Sequence, residues 1–177
     1  LLLMPLNYCF AVDDYYTYDK IDSTLHVWQG NYGENEHSDF SEYGIIYNLD
    51  TIGYSSKDNL PIFAVKLSAD ADLPKQDKPR ILILGQCHAE EIYGIEISMA
   101  IIECYLNPGQ CYDDYSNIRP YLNTMINSLE DVELWIVPTH NPEGLKVVHG
   151  YCDDGSSATF IECQSNSASW IEDPTYR

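Results

Sequence analysis

An α/β fold, a β-sheet with helices on its faces, is what this 177-residue sequence predicts. Three apolar strand-like runs, LPIFAVKL, RILIL and VELWIV, are interleaved with stretches of helical periodicity. Strands alternating with helices pack as layered α/β domains. A hydrophobic content of 45% supplies the core of one ordinary globular domain.

Residues 1–11 (LLLMPLNYCFA) form an apolar run too short to span a bilayer. The run resembles the hydrophobic region of a signal peptide, with Ala11 as the small residue before cleavage. No basic stretch and no initiator Met precede it, so the start of the gene product is expected to be missing. A buried N-terminal strand is the competing reading, but Asp13 and Asp14 then open an abruptly polar stretch. The expectation is an exported protein, secreted or periplasmic, with residues 12–177 as its folded part.

A first helix is expected from about Thr17, because Ile21, Leu25 and Trp28 share one face and Gly30 and Gly33 end it. Gly44–Ser55 and Leu60–Leu67 read as two strands joined by Lys57-Asp58-Asn59, which is turn chemistry, and so as a hairpin. Arg80–Leu84 is largely apolar, as expected of a central strand covered on both faces. Glu90–Leu106 carries Ile92, Ile95, Met99 and Ile102 at helical spacing and is stopped by Asn107, Pro108 and Gly109. Asn117–Leu129 reads as a second long helix and Val132–Val137 as another buried strand. Everything beyond Asn141 is mostly polar and loop-like.

The formal charge of −19 argues against a nucleic-acid partner, since phosphate binding needs clustered Lys and Arg. It also argues against docking on anionic lipid, so no membrane association is expected once the leader is removed. The plain reading of the acidity is solubility. Oligomeric state is not legible here.

Beyond the leader the cysteines are Cys87, Cys104, Cys111, Cys152 and Cys163, and in an exported chain some should pair. Cys104 with Cys111 would brace a helix end, and Cys152 with Cys163 would close a short polar loop. Cys87 would then be left over as a small buried residue.

The chemistry concentrates in Gly85-Gln86-Cys87-His88-Ala89-Glu90-Glu91, where a strand gives way to a helix. Open α/β sheets bind ligands at the carboxyl ends of their strands. His88 would leave the strand end and Glu91 would sit in the first helical turn, where the helix N-terminus favours its charge. An imidazole nitrogen and a carboxylate so placed can converge on a zinc ion. As a bare pattern His-x-x-Glu is weak, and an ordinary hydrogen-bonded His is the competing reading. A second copy, His140-Asn141-Pro142-Glu143, leads into a Pro-Glu-Gly turn and reads as structural.

Taken together, TYDKIDSTLHVW, IGYSSKDNLPIFAVKLS, ILILGQCHAEEIYGIEISMAIIECYL and ELWIVPTHNPEG resemble zinc carboxypeptidases of the carboxypeptidase A/B type. The order and spacing of these blocks, spanning nearly all the chain after Val12, look like the first half of that catalytic domain. The resemblance implies a partial mixed β-sheet flanked by helices, the N-terminal part of an α/β/α domain. It implies Zn2+ as cofactor, with His88 and Glu91 as the first two ligands. Arg177, following the aromatic Tyr176, falls where the family has an arginine that polarises the scissile carbonyl. A fixed guanidinium suits that role because it stabilises a developing oxyanion. The stretch from Gly144 to Arg177 is longer than usual for the family, which bears on that match. Asn141-Pro142-Glu143-Gly144 resembles the family's Asn-Pro-Asp-Gly turn and is given a scaffolding role.

Glu90 stands where many members carry a substrate-binding Arg, so the subsites are expected to differ. The third ligand, the residues that grip the substrate carboxylate, the specificity pocket and the general-base Glu are expected outside this stretch. His149 lies too close to the turn to supply that ligand. The implied activity is hydrolysis of the C-terminal peptide bond of peptides and proteins, with this stretch inactive alone. The alternatives are a related zinc amidohydrolase, or a non-catalytic binding protein that keeps the fold.

Overall fold

Four strands form one mixed sheet in the order β1-β2-β4-β3 in a computed structural model that describes residues 15–74, 77–114 and 119–149. The leader, Cys152, Cys163 and Arg177 lie outside the described residues. Strands β1 (Tyr47–Tyr54) and β2 (Pro61–Leu67) are the expected hairpin, paired antiparallel. Its turn places Asn59 at a φ of 53°, a left-handed conformation that asparagine tolerates. The register slips between Thr51 and Gly53, and Ile52 is left exposed there.

Strand β4 (Glu133–Thr139) is the centre of the sheet, antiparallel to β2 and parallel to β3 (Arg80–Gln86). The expectation that Arg80–Leu84 is covered on both sides is corrected. Among the described residues β3 pairs only with β4, and Leu82 and Leu84 are 62% and 55% exposed. An apolar run reads the same at a sheet's edge as in its middle, and the expectation turned on that ambiguity.

One sheet face carries the core. Phe63, Val65 and Leu67 of β2 and Leu134 and Ile136 of β4 point into it, with Ile83 of β3 packed beside them. Helix α1 (Tyr18–Trp28) lays Tyr18, Ile21, Leu25 and Trp28 against this face. Its Thr17 cap accepts the N–H of Lys20 at 3.2 Å. A π-helical turn, Gln29–Gly33, continues the helix to its expected end at Gly33, and Gln29 Oε1 accepts the N–H of Leu49 at 2.8 Å, tying that turn to β1.

Helix α2 (Tyr93–Leu106) contributes Ile95, Met99 and Ile102 to the same core, as its spacing predicts. It crosses β3 at a glycine pair: a Cβ on Gly94 would lie 2.8 Å from the carbonyl carbon of Gly85. α2 ends at Leu106, as expected, and Pro108 opens a separate helix, α3 (Pro108–Asp114), a position proline suits because it lacks the N–H that would go unpaired. A Cys104–Cys111 disulfide joins α2 to α3, as anticipated. The second long helix is instead broken, with α4 (Leu122–Asn127) between short 3-10 turns at Arg119–Tyr121 and Ser128–Glu130.

The segment after Asn141, expected to be loop, starts with a helix, α5 (Pro142–Val148). Asn141 caps it by accepting the N–H of Gly144 at 3.0 Å, and Pro142 occupies its first position. Gly144 has no left-handed φ; its requirement is spatial, since a Cβ there would lie 2.6 Å from the Asn141 amide.

Candidate metal centre

β3 and β4 run parallel and end together, with Gln86 paired to Thr139 in the last register position. The chain beyond each strand therefore emerges at the same edge of the sheet. Residues 87–92 form the connection from β3 to α2, and His140 and Asn141 form the connection from β4 to α5. His88 and Glu91 both lie in the first connection.

The two side chains face one another. His88 Nδ1 lies 2.8 Å from Glu91 Oε1, and the backbone N–H of His88 donates to Glu91 Oε2 at 3.1 Å. Hydrogen bonding from the His88 ring, reinforced by that backbone N–H, holds the Glu91 carboxyl below its ordinary value. The group is thus a carboxylate, and Nδ1–H is the donor. Both side chains are about half exposed, at 48% and 51%.

Glu91 does not sit in the helix's first turn. It precedes α2, in a tight turn where its own N–H donates to His88 O at 3.1 Å. The carboxylate folds back onto the backbone of His88, a side-chain-to-backbone bond that competes with helix continuation. The helix start is displaced to Tyr93.

Cys87, expected to be buried, is an exposed free thiol where the chain leaves β3. It lines a cleft of about 320 Å3 together with Tyr54, Ser55, His140, Asn141 and Glu143. His88 and Glu91 are not among the residues lining that cleft, and they face solvent beside it.

The second His-x-x-Glu copy converges on nothing of the kind. Glu143 is buried and turns its Oε1 to the β1–β2 turn, accepting the N–H groups of Lys57 at 2.7 Å and Asp58 at 2.6 Å. This is the scaffolding role expected of the Asn-Pro-Glu-Gly stretch, made specific. Asn141 Nδ2 adds a bond to Cys87 O at 3.1 Å. The sequence reading missed that bond and the part of Gln86 and Thr139. An Asn followed by Pro at the end of an apolar run is a cap signal that points to Asn141 as the cap of α5 but not to its bond with Cys87.

A nitrogen and a carboxylate oxygen within 2.8 Å of each other are a donor pair that zinc accepts, so the residues present fit the metal in chemistry. Among the described residues no group of three or more His, Cys, Asp or Glu side chains is arranged to hold a metal ion. Glu90 is exposed, as is Arg80 at the far end of β3. No helix among the described residues is long and apolar enough to cross a membrane.

Comparison with known proteins places the chain in a family. The zinc carboxypeptidase family matches residues 38–157, more than half of the sequence. The chain belongs to that family of zinc enzymes, and its fold is the carboxypeptidase-like α/β one. Among solved structures it is similar to thrombin activatable fibrinolysis inhibitor, with a TM-score of 0.52 and 17% identity over 73% of this chain and 26% of that one. It is also similar to carboxypeptidase A from Helicoverpa armigera, with a TM-score of 0.52 and 16% identity over 77% of this chain and 27% of that one. A metallo-carboxypeptidase from Burkholderia cenocepacia gives 0.51 and 15% identity over 74% and 28%. At such identities these likenesses establish a shared fold. The chain spans about a quarter of the length of these solved relatives. No match is found among curated protein sequences.

Proposed function

We propose that this chain is part of a zinc metallocarboxypeptidase that removes residues from the C-termini of peptides and proteins, with His88 and Glu91 as two of its metal ligands. The observation that carries the reading is the 2.8 Å approach of His88 Nδ1 to Glu91 Oε1 at the end of β3. Family membership supports the reaction class.

Bound zinc would supply a Lewis acid that polarises a peptide carbonyl and acidifies a water molecule. The chain's own residues do the preparatory work. Glu91 is held ionised by the His88 ring and backbone, ready to face a cation. The His88 imidazole would offer a ring nitrogen as the second donor beside that carboxylate. Arg177, outside the described residues, is proposed to polarise the scissile carbonyl.

Residues 1–11 are proposed as part of an export signal and residues 12–177 as the N-terminal part of the catalytic domain. The Cys104–Cys111 disulfide supports an oxidising, extracellular or periplasmic location. Peptide C-termini are the proposed partners, and neither nucleic acid nor membrane is.

The test is turnover of an N-terminally blocked chromogenic peptide with a free C-terminus. The full-length protein with zinc should release the C-terminal residue, and His88→Ala and Glu91→Ala should each abolish release. The 177-residue chain alone, offering two proposed ligands, should release none. A full-length protein that turns over equally well with position 88 or 91 replaced refutes the assignment.

A further inference from the structure

We infer that Gln86, Thr139 and Asn141 are positioning residues for the His88–Glu91 pair, acting through the carbonyls of Cys87 and Ala89, the residues before and after His88. The inference rests on the proposal that this pair binds metal.

Gln86 is fully buried at the last position of β3, where an unpaired amide would be costly. Its two ends are both used. Nε2 donates to Ala89 O at 3.1 Å, and Oε1 accepts from the hydroxyl of Thr139, itself buried on β4. Thr139 Oγ1 in turn accepts the N–H of Asn141 at 3.1 Å. Asn141 then spans two jobs: Oδ1 caps α5 and Nδ2 donates to Cys87 O at 3.1 Å. The carbonyls before and after His88 are thereby both tied to side chains rooted in the ends of β3 and β4.

The Cys87 carbonyl matters most. It shares a planar peptide group with the N–H of His88. Asn141 holds one end of that plane, and the other end donates to Glu91 Oε2 at 3.1 Å. Rotating the plane would pull the carboxylate away from the His88 ring. The cap of α5 is in this way connected to both candidate donors through one rigid unit. Groups that orient metal ligands in this manner are typically worth about 10–100-fold in metal affinity.

The test measures zinc affinity of the full-length protein by competition with a chelating dye, alongside the thermal midpoint. Asn141→Ser keeps a capping oxygen for α5 but cannot reach Cys87 O. Thr139→Val removes the hydroxyl at constant shape, and Thr139→Ser restores it. Asn141→Ser should bind zinc about 10–100-fold more weakly with a midpoint near that of the parent. Thr139→Val should weaken binding in the same range and also lower the midpoint, because it leaves Gln86 Oε1 unpaired, and Thr139→Ser should bind within about twofold of the parent. Should Thr139→Val fail to fold, Asn141→Ser still decides. Parent-like affinity in Asn141→Ser, while His88→Ala and Glu91→Ala lose zinc, overturns the positioning role alone. Parent-like affinity in His88→Ala and Glu91→Ala overturns the metal site and the positioning role with it.

Discussion

Glu143 Oε1 lies 2.7 Å from the backbone nitrogen of Lys57, so a carboxylate on α5 fastens the turn that joins β1 to β2. Burial pushes this carboxyl's pKa up, but hydrogen bonds from Ser55 and from the backbone of Asp58 and Lys57 outweigh it and hold the group below its ordinary 4.5. A carboxyl lowered on folding contributes stability above its unfolded value, and that contribution is lost as pH falls through the lowered value. Glu143→Gln should therefore unfold with a shallower dependence on acid than the parent protein. Circular dichroism against pH between about 6 and 2 checks this, and parallel curves would dismiss the clamp.

The crossing of α2 over β3 leaves no room for a side chain at Gly94, where a Cβ would lie 2.8 Å from the Gly85 carbonyl carbon. Gly94→Ala should cost about 1–3 kcal/mol, the usual penalty for forcing volume into a packed contact. Denaturant unfolding measures it. An exposed control on the same helix, Ile97→Ala, should cost less, because Ile97 is 60% exposed.

Among the described residues, strand β3 shows its outer edge and two leucines to solvent, a template for unwanted strand pairing. Leu82→Lys should lower self-association of the 177-residue chain in sedimentation velocity while changing stability by no more than about 0.5 kcal/mol. Unchanged association would locate the sticky surface elsewhere.

Much of the fold was legible because it is written in local pattern. The faces of α1 and α2 and the β1–β2 hairpin follow from spacing and turn residues. What was not legible depends on partners distant in sequence. Leu82 cannot report whether a strand lies beyond it. Glu91 was expected in a helix because periodicity says nothing of a carboxylate that prefers the N–H three residues back. Helix α5 was passed over although Asn141 and Pro142 announce a cap and a first turn. Within the candidate site, His88 and Glu91 were legible from their spacing and the family resemblance. Gln86 and Thr139 were not, since their partnership exists only once two strands 53 residues apart are side by side.

A burial of charge at the other end of the sheet was equally hidden. Glu133, 1% exposed, accepts from Arg80 Nε at 2.6 Å and from Trp135 Nε1 at 3.1 Å, with Lys66 Nζ at 3.7 Å. Burial raises its carboxyl, yet the bonds from Trp135 and Arg80 and the nearby cations leave it lowered. An acidic residue near the start of an apolar run gives no hint of such company.

The position of β4 has a consequence for how the molecule is made. Of the four described strands, the last to leave the ribosome is the one that the hairpin and β3 share, so neither can find the other before residues 133–139 emerge. During synthesis the earlier strands wait with their apolar sides uncovered, and assembly is delayed until a late, long-range pairing closes. Nascent chains stalled before Glu133 should lean on chaperones more heavily than those stalled after Thr139.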